Sequence, residues 1–381
     1  QFALTIVLLI VSIVVVKQLD FMLNKDLGFK NENIIATKYF DMGRLDGTDE
    51  ERQKSRETTA KNYEYVKNEL AAHSSVKQFS QGQIPLNPSS LPWKLKGSDR
   101  DFSAGIGLAV SPEYFEMLGL EIIEGRFFER ERDVSRSARV VINEAAKKFW
   151  EIEDISQAKM MNKYWAFGPL AEGFEVIGVV KNFNCEHLSK TPQPMYLYYM
   201  NDIFSNFLIE FEPEAIQAGL QFAEQLFNEV NPGETFQYTF LSDEVEALYQ
   251  KEKRLSQIYI IFTIIAFLIS ATGLFAISLY DTRKRTKEIG IRKVNGAKVS
   301  EILAMLNKDF LKWVVIAFVI AIPIAYYAMN KWLENFAYKT SLSWWIFALA
   351  GLLALGIALL TVSWQSWRAA TRNPVEALRY E

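Results

Sequence analysis

The sequence predicts a membrane protein in which one transmembrane helix is followed by an α+β extracytoplasmic domain and then by three further transmembrane helices. Three observations lead to this fold class: long uncharged stretches, a basic cluster in one short connection, and two β-α-β patterns between the first stretch and the second. The uncharged stretches are Gln1–Val16, Ile258–Tyr280, Trp313–Asn330 and Ser341–Trp367. At 1.5 Å per residue the second stretch spans roughly 35 Å, which exceeds a hydrocarbon core of about 30 Å.

The first stretch is short enough to be compared with a secretory signal. No basic segment precedes it and no small-residue cleavage site follows it, as a signal peptide would have. We interpret residues 1–25 as a truncated first transmembrane helix with a short extension, and we expect the natural chain to begin further upstream.

The other three spans are expected at about 258–280, 310–330 and 341–367. The middle one is near the lower length limit, but Phe310 and Leu311 extend it past Lys312, whose ammonium group can snorkel to the interface.

Basic residues predict the orientation. Residues 281–298, between the second and third spans, carry seven of them: Arg283, Lys284, Arg285, Lys287, Arg292, Lys293 and Lys298. The connection between the last two stretches carries only two. The positive-inside rule therefore puts the first connection and the C-terminus in the cytoplasm, and residues of about 17–253 outside.

The expected extracytoplasmic domain covers residues 26–241. Two similar patterns of strand, helix and strand occur in it: 33–40, 51–72 and 75–81, and later 206–211, 213–231 and 235–241. Two β-α-β units of this kind favour a ferredoxin-like layer. Between them, at about 82–205, short strands such as Phe174–Val180 and Met195–Tyr199 predict a β-rich insertion subdomain.

A permease-like region is expected at residues 242–381, and it begins with a helix. Ser242 can cap that helix, and neither glycine nor proline separates it from the second uncharged stretch. We therefore expect one continuous helix that leaves the membrane as a rigid stalk.

Composition argues against several classes of function. A net charge of −3 gives no general attraction to nucleic acid, and a single cysteine excludes an internal disulfide. Cys185 and His187 have no second Cys-His pair, so we expect a packed thiol and no metal site. The sequence has no GxxxxGK[ST] phosphate loop, so we expect no nucleotide cofactor and no ATPase activity of its own.

The basic connection also has an ordered motif. Residues 287–297 read Lys-Glu-Ile-Gly-Ile-Arg-Lys-Val-Asn-Gly-Ala, and the Asn295-Gly296 pair is typical of a helix end. Apolar residues then recur at helical spacing and predict an amphipathic helix leading into the third span: Val299, Ile302, Leu303, Leu306 and Phe310. The alternative interpretation is a basic juxtamembrane segment held by anionic lipid.

This motif resembles the signature of the MacB/FtsX-type permeases of ABC transporters. Similar family segments occur elsewhere in the chain: Gly125–Phe128, Val141–Ala146, Gly178–Phe183 and Arg368–Glu381. In the last of these, Asn373, Pro374 and Glu376 form the pattern of a capped helix start. The resemblance covers essentially the whole chain, including the arrangement of one plus three helices.

The resemblance implies a non-enzymatic permease of the bacterial inner membrane that exports or extracts a substrate. The implied partners are a cytoplasmic P-loop ATPase subunit, a second permease copy or sister half, and a periplasmic adaptor or outer-membrane factor. The ATPase-coupling residues would be Glu288, Gly290, Arg292, Gly296 and Ala297. Two alternatives stay open: an FtsX-like regulator of a cell-wall hydrolase and a membrane-bound ligand sensor. The substrate is not specified.

Overall fold

The computed structural model describes residues 2–40, 48–135, 137–165, 167–200 and 206–370. The chain divides into two compact units, of which one contains Gln1–Asn24 and Tyr249–Glu381 and the other contains Lys25–Leu248. We call them the membrane unit and the outer unit.

The helices follow in chain order: α1 (Phe2–Leu23), α2 (Asp49–Ala72), α3 (Glu113–Leu118), α4 (Glu144–Phe149), α5 (Ile216–Val230), α6 (Leu241–Leu248), α7 (Gln250–Lys284), α8 (Thr286–Val294), α9 (Val299–Leu333) and α10 (Trp344–Ala370). The strands are β1 (Ile34–Thr37), β2 (Val76–Gly82), β3 (Ser89–Leu95), β4 (Ser103–Val110), β5 (Ile122–Gly125), β6 (Arg139–Asn143), β7 (Lys159–Asn162), β8 (Phe174–Val180), β9 (Met195–Tyr199), β10 (Asn206–Phe211) and β11 (Tyr238–Phe240).

The membrane unit contains α1, α7, α9 and α10, each of which is long and apolar enough to cross a bilayer. Helix α1 packs against the other three. Its Ile6, Ile10 and Val14 are fully buried and belong to one cluster with Ala321 of α9 and Ala350 of α10. Small residues at such contacts let the helix backbones approach closely. In a bilayer this close packing drives helix association, because lipid is as apolar as the helix surfaces and no hydrophobic force pulls the helices together.

Two buried hydroxyl pairs join α1 to α7. Thr5 Oγ1 lies 2.6 Å from Ser270 Oγ, and Ser12 Oγ lies 2.7 Å from Thr263 Oγ1. The two positions on each helix are seven residues apart, so the same face of each helix makes both contacts. These pairs satisfy polar groups that would otherwise face hydrocarbon.

A buried glutamine ties the end of α1 to the connection between α9 and α10. The amide of Gln18 donates from Nε2 to the carbonyl of Tyr338 at 2.9 Å and accepts at Oε1 from the backbone N–H of Thr340 at 2.8 Å. Because both ends of the amide are used, this non-helical connection has some of its backbone groups satisfied by α1.

In the outer unit, the strand order begins β11-β1-β10-β2, and these four strands are antiparallel. The strands of the first β-α-β pattern thus alternate with those of the second. Helices α2 and α5 cover this layer, and their Leu70 and Leu226 are buried in one cluster with Ile35, Phe207 and Ile209 of the strands.

The remaining strands form a closed ring. The pairing runs β4-β3-β7-β8-β6-β9 and returns from β9 to β4 through a parallel contact, while β5 adds to β8. Trp93 and Tyr196 stack inside at a centroid distance of 4.6 Å, and Trp150 Nε1 donates to the Tyr196 hydroxyl at 2.6 Å. Closure leaves fewer unpaired strand edges for unwanted association.

The predicted continuous stalk is wrong. Helix α6 ends at Leu248, and α7 begins at Gln250 after Tyr249, which has φ −106° and ψ 11°. That ψ value lies far from the helical value of about −42°. The local sequence contains no helix breaker, but the Tyr249 side chain is completely buried, so packing of a large ring overrides helix propensity here.

Several element ends also differ from the predicted ones. Strand β1 covers Ile34–Thr37 only, and α10 starts at Trp344. The predicted cap at Asn373 lies outside the described residues.

Candidate functional site

The family-like motif of residues 287–297 forms a short helix and a turn between two long helices. Helix α7 ends at Lys284, α8 covers Thr286–Val294, and α9 starts at Val299. The motif is therefore a compact connection at one end of the membrane unit, which we call the α8 connection (residues 286–298).

The turn of the α8 connection depends on Gly296. Its φ is +89°, a left-handed conformation that costs a residue with a β-carbon about 1 kcal/mol or more. The backbone N–H of Asn295 donates to Ile291 O, and that of Ala297 donates to Arg292 O, both at 3.0 Å. The Asn-Gly pair thus ends α8 as its sequence predicts, because glycine can take the required φ.

An apolar contact fixes α8 on the start of α9. Ile289, Ile302 and Leu306 are buried together, and Ala297 packs against them. Gly290 is buried as well. Side-chain packing as well as the backbone therefore joins α8 to the start of α9.

The exposed side of α8 carries an ion pair. Arg292 Nη2 lies 2.9 Å from Glu288 Oε1, and the two side chains are 50% and 45% exposed. Arg292 Nη1 also lies 2.7 Å from Met305 Sδ on α9. An exposed pair of this kind contributes roughly 0–1 kcal/mol to stability, so the fold does not depend on it.

The five residues predicted for ATPase coupling all lie in the α8 connection, and the structure shows two further side chains there or in contact with it that the sequence analysis did not single out. Ile291 is 55% exposed although it lies between the charged positions of a polar helix. The signal was present in the sequence: two residues of a helix are about 200° apart, so if Ile289 packs inward, Ile291 must point outward. Met305 was also missed, because its contact with Arg292 joins residues on different helices.

Two of the other family-like segments meet in the outer unit. Glu144 Oε2 accepts the backbone N–H of Asn182 at 2.9 Å, and Asn182 Oδ1 accepts that of Ala145 at 3.0 Å. Asn143 Oδ1 caps α4 through the backbone N–H of Ala146 at 2.8 Å. These polar residues have a structural role, since their side chains hold the ends of β6, α4 and β8 together.

A third family-like segment contains Arg126, which belongs to a buried ion network. Asp133 accepts from both Nη atoms of Arg126, at 2.6 and 3.2 Å, from the Glu129 backbone N–H and from Arg139. Burial of the carboxyl group opposes its ionisation, but these hydrogen bonds outweigh burial and lower the pKa of Asp133 from 3.8 to about 2. The carboxylate therefore stays charged at neutral pH and holds the loop between β5 and β6.

Cys185 is buried, and burial raises the pKa of its thiol. His187 Nδ1 lies 2.9 Å from Ser189 Oγ. Among the described residues no group of three His, Cys, Asp or Glu side chains could hold a metal ion.

Among the described residues, four helices are long and apolar enough to cross a bilayer, and together with the large outer unit they indicate a multi-pass membrane protein. The MacB-like periplasmic core domain model matches residues 3–204, and the FtsX-like permease C-terminal model matches residues 260–374. The chain therefore belongs to the MacB/FtsX-type permease family of ABC transporters, whose members of this kind lie in the inner membrane.

Curated relatives agree with this family. The macrolide export ATP-binding/permease protein MacB of Bdellovibrio bacteriovorus is 24% identical over 83% of this chain and 48% of its own length. MacB of Chromobacterium violaceum is 23% identical over 74% of this chain and 44% of its own length. The uncharacterized ABC transporter permease YknZ of Bacillus subtilis is 25% identical over 71% of this chain and 69% of its own length. The chain thus spans about half the length of the two MacB proteins.

Among solved structures, the periplasmic region of MacB from Actinobacillus actinomycetemcomitans covers 60% of this chain and 98% of its own, at 14% identity and a TM-score of 0.39. The extracellular domain of the YknZ transporter from Gram-positive bacteria covers 46% of this chain and 87% of its own, at 16% identity and a TM-score of 0.35.

Proposed function

We propose that this permease transmits motion from cytoplasmic ATPase subunits to its outer unit, and that the outer unit then acts on a substrate that is exported or extracted. The ATPase contact is the α8 connection, with Glu288, Gly290, Arg292, Gly296 and Ala297 as its coupling residues. The chain itself hydrolyses no ATP in this mechanism.

The observation that carries the proposal is the exposed face of α8. Ile291 offers an apolar side chain, and Glu288 with Arg292 offers charges of both signs beside it. Protein interfaces draw most of their binding energy from a few apolar or arginine anchors surrounded by polar groups. Because Ile289 fixes α8 on α9 from the opposite side, a push on this face moves α9 as well.

The orientation follows from charge. Seven basic residues lie within residues 283–298, from the last turn of α7 to the residue before α9, and they support a cytoplasmic α8 connection and a cytoplasmic C-terminus. Residues of about 17–253 are then extracytoplasmic. Residues 26–241 act in this proposal as one domain with an insertion at about 82–205, and residues 242–381 as the permease domain.

We assign a ferredoxin-like layer to β1, β2, β10 and β11 with α2 and α5. The support is the antiparallel order β11-β1-β10-β2, in which two β-α-β units interleave.

The partners are inferred from the family. The MacB relatives are named ATP-binding/permease proteins and are about twice as long as the matched region, so an ATPase part is the first expected partner. A second permease copy or sister half would complete the membrane assembly, and an adaptor or outer-membrane factor would receive the substrate. Macrolide export is the activity named for those relatives, and a compound of that class is one candidate substrate here.

Co-purification tests the contact. We expect Glu288→Ala with Arg292→Ala to leave expression and membrane insertion intact, because an exposed pair contributes little to folding. The variant should no longer co-purify with a co-expressed ATPase subunit. Each charge of the ATPase that is buried against Glu288 or Arg292 would lose its partner, and this costs about 2–5 kcal/mol or more of binding free energy. The matched control is Lys284→Ala with Arg285→Ala, two basic residues directly before the α8 connection. Equal loss of ATPase in both variants would identify a general basic patch and overturn the assignment.

A further inference from the structure

Strand β2 has one paired edge and one edge that is mostly open. It pairs with β10 along its length on one side, but with β4 only at Gly82, opposite Val110, on the other. Gln81 uses its backbone on this second side: its N–H donates to Ser111 Oγ at 3.3 Å, and its carbonyl accepts from the Ser111 N–H at 2.9 Å. Phe79 is two residues earlier, so its N–H and C=O point to the same side. In the part of the chain that the structure describes, neither group of Phe79 has a hydrogen-bond partner.

The open edge lies in a groove of about 280 Å³, which we call the β2 groove. Its lining comes from three places: Lys67, Leu70 and Ala71 of α2, residues 76–81 of β2, and Ser111, Glu113 and Arg130. The last three form one hydrogen-bonded set, because Ser111 Oγ donates to Glu113 Oε2 at 2.8 Å and Arg130 Nε donates to Glu113 Oε1 at 2.9 Å.

The β2 groove also contains a buried amide donor. Gln81 is 5% exposed, and its Oε1 accepts from the Tyr63 hydroxyl. Its Nε2 has no hydrogen-bond partner among the described residues. An unpaired buried donor costs free energy, and most buried polar groups of native proteins have a partner. A ligand in the groove that presents an acceptor would supply one.

The cations of the β2 groove do not require a free anion. Each of them already has a carboxylate partner: Lys67 with Glu64, Lys77 with Glu210 and Arg130 with Glu113. What the groove offers instead is a main-chain donor and acceptor, an amide donor, and apolar surface from Ala71 and Val76. These are the groups that an extended peptide contacts when it adds as a strand to a sheet edge.

The open edge is short. The register between β2 and β10 shifts between Glu210 and Phe211, which leaves Lys77 as an extra residue at a bulge. Bulges and edge lysines are features by which proteins prevent uncontrolled pairing of strand edges. At the other end, Ser111 already occupies the backbone on this side. The edge that remains available is therefore centred on Phe79.

We propose that the β2 groove binds a short extended segment of another polypeptide, which adds to β2 as a strand. One residue of this segment forms two main-chain hydrogen bonds with Phe79, and one of its carbonyl groups accepts from Gln81 Nε2. The site is distinct from the α8 connection and does not rest on the function proposed for it.

Peptide selection on the purified full chain in nanodiscs tests the site. The probe is a phage library of short random peptides, from which those that bind the Ala71→Trp variant are first removed, because an indole at this exposed position fills the groove. We expect wild type to retain peptides. Ala72→Trp, equally exposed but outside the lining, should bind them as wild type does. Gln81→Met should bind them roughly 3- to 10-fold more weakly, since it lacks the amide donor.

Two further measurements separate strand addition from contact with side chains alone. In hydrogen exchange at residue resolution, bound peptide should slow exchange of the Phe79 amide, whereas the Ser80 amide, which faces β10, should change little. Methylation of one peptide nitrogen should abolish binding opposite Phe79 and be tolerated at the adjacent residues, because N–H groups alternate in direction along a strand. Failure to retain any peptide would overturn the proposal, as would unchanged exchange at Phe79 or a peptide that tolerates methylation at every position.

Discussion

Asp133 is the residue whose replacement should most clearly weaken the outer unit. Its side chain is fully buried, and it accepts hydrogen bonds from two arginines and one backbone N–H. The substitution Asp133→Asn keeps the size of the side chain but removes its charge. Arg126 and Arg139, which are 29% and 35% exposed, would then lose their charged partner.

The size of the effect follows from the pKa. The folded pKa of about 2 lies below the ordinary value of 3.8, so the ionised carboxylate is favoured in the folded protein. One pKa unit corresponds to about 1.4 kcal/mol, which gives a contribution of about 2 kcal/mol at neutral pH. Because the folded pKa is depressed, this stabilisation is complete above about pH 4–5. It should fall to roughly half at pH 3 and be mostly lost near pH 2.

Urea titrations of the full chain in detergent at pH 6, 4 and 3 measure this contribution. Hydrogen exchange of peptides from β5, β6 and β8 reports unfolding of the outer unit. We expect Asp133→Asn to lower its free energy of unfolding by about 2 kcal/mol at pH 6, and the difference from wild type to shrink at pH 3. Equal stability of the two proteins at pH 6, or a difference that does not change with pH, would refute this reasoning.

Two further predictions concern packing and topology. A β-carbon at Gly351 of α10 would lie 2.6 Å from the Phe318 ring of α9, whereas one at Gly356 would meet no atom within 4 Å. Gly351→Ala should therefore cost about 1–3 kcal/mol in detergent thermal unfolding and Gly356→Ala should not, while equal effects would contradict the packing. With the native cysteine replaced by serine, a cysteine at Ser300 should react with an impermeant maleimide only from the cytoplasmic side, and one at Lys190 only from outside. Labelling of both from the same side would contradict the proposed orientation.

The sequence predicted the parts of the fold that depend on local patterns. The four spans follow from uncharged stretches, and the Gly296 turn follows from an Asn-Gly pair in front of an amphipathic helix. The sequence could not predict the break at Tyr249, since the local residues all permit a helix and burial of the ring decides the conformation. The parallel pairing of β4 with β9 could not be predicted from local sequence patterns either, because it joins strands about 90 residues apart.

For the candidate site, the sequence places the residues proposed for ATPase coupling in one connection, but it does not predict the contacts that hold that connection. The Glu288–Arg292 pair follows from a spacing of four in a helix. The packing of Ile289 on Ile302 and Leu306 requires knowledge of how α8 folds back on α9. The Asp133 network was missed for a similar reason, because one of its arginines follows β5 and the other begins β6, on either side of a loop.

ATPase turnover tests the central claim most directly. A P-loop ATPase co-expressed with this permease should be stimulated by the wild type and by Lys284→Ala with Arg285→Ala. It should show only basal turnover with Glu288→Ala and Arg292→Ala, although that variant is present in the membrane in normal amount. Full stimulation by the Glu288 and Arg292 variant would contradict the account, because the exposed face of α8 would then not be the surface through which the ATPase and the permease are coupled.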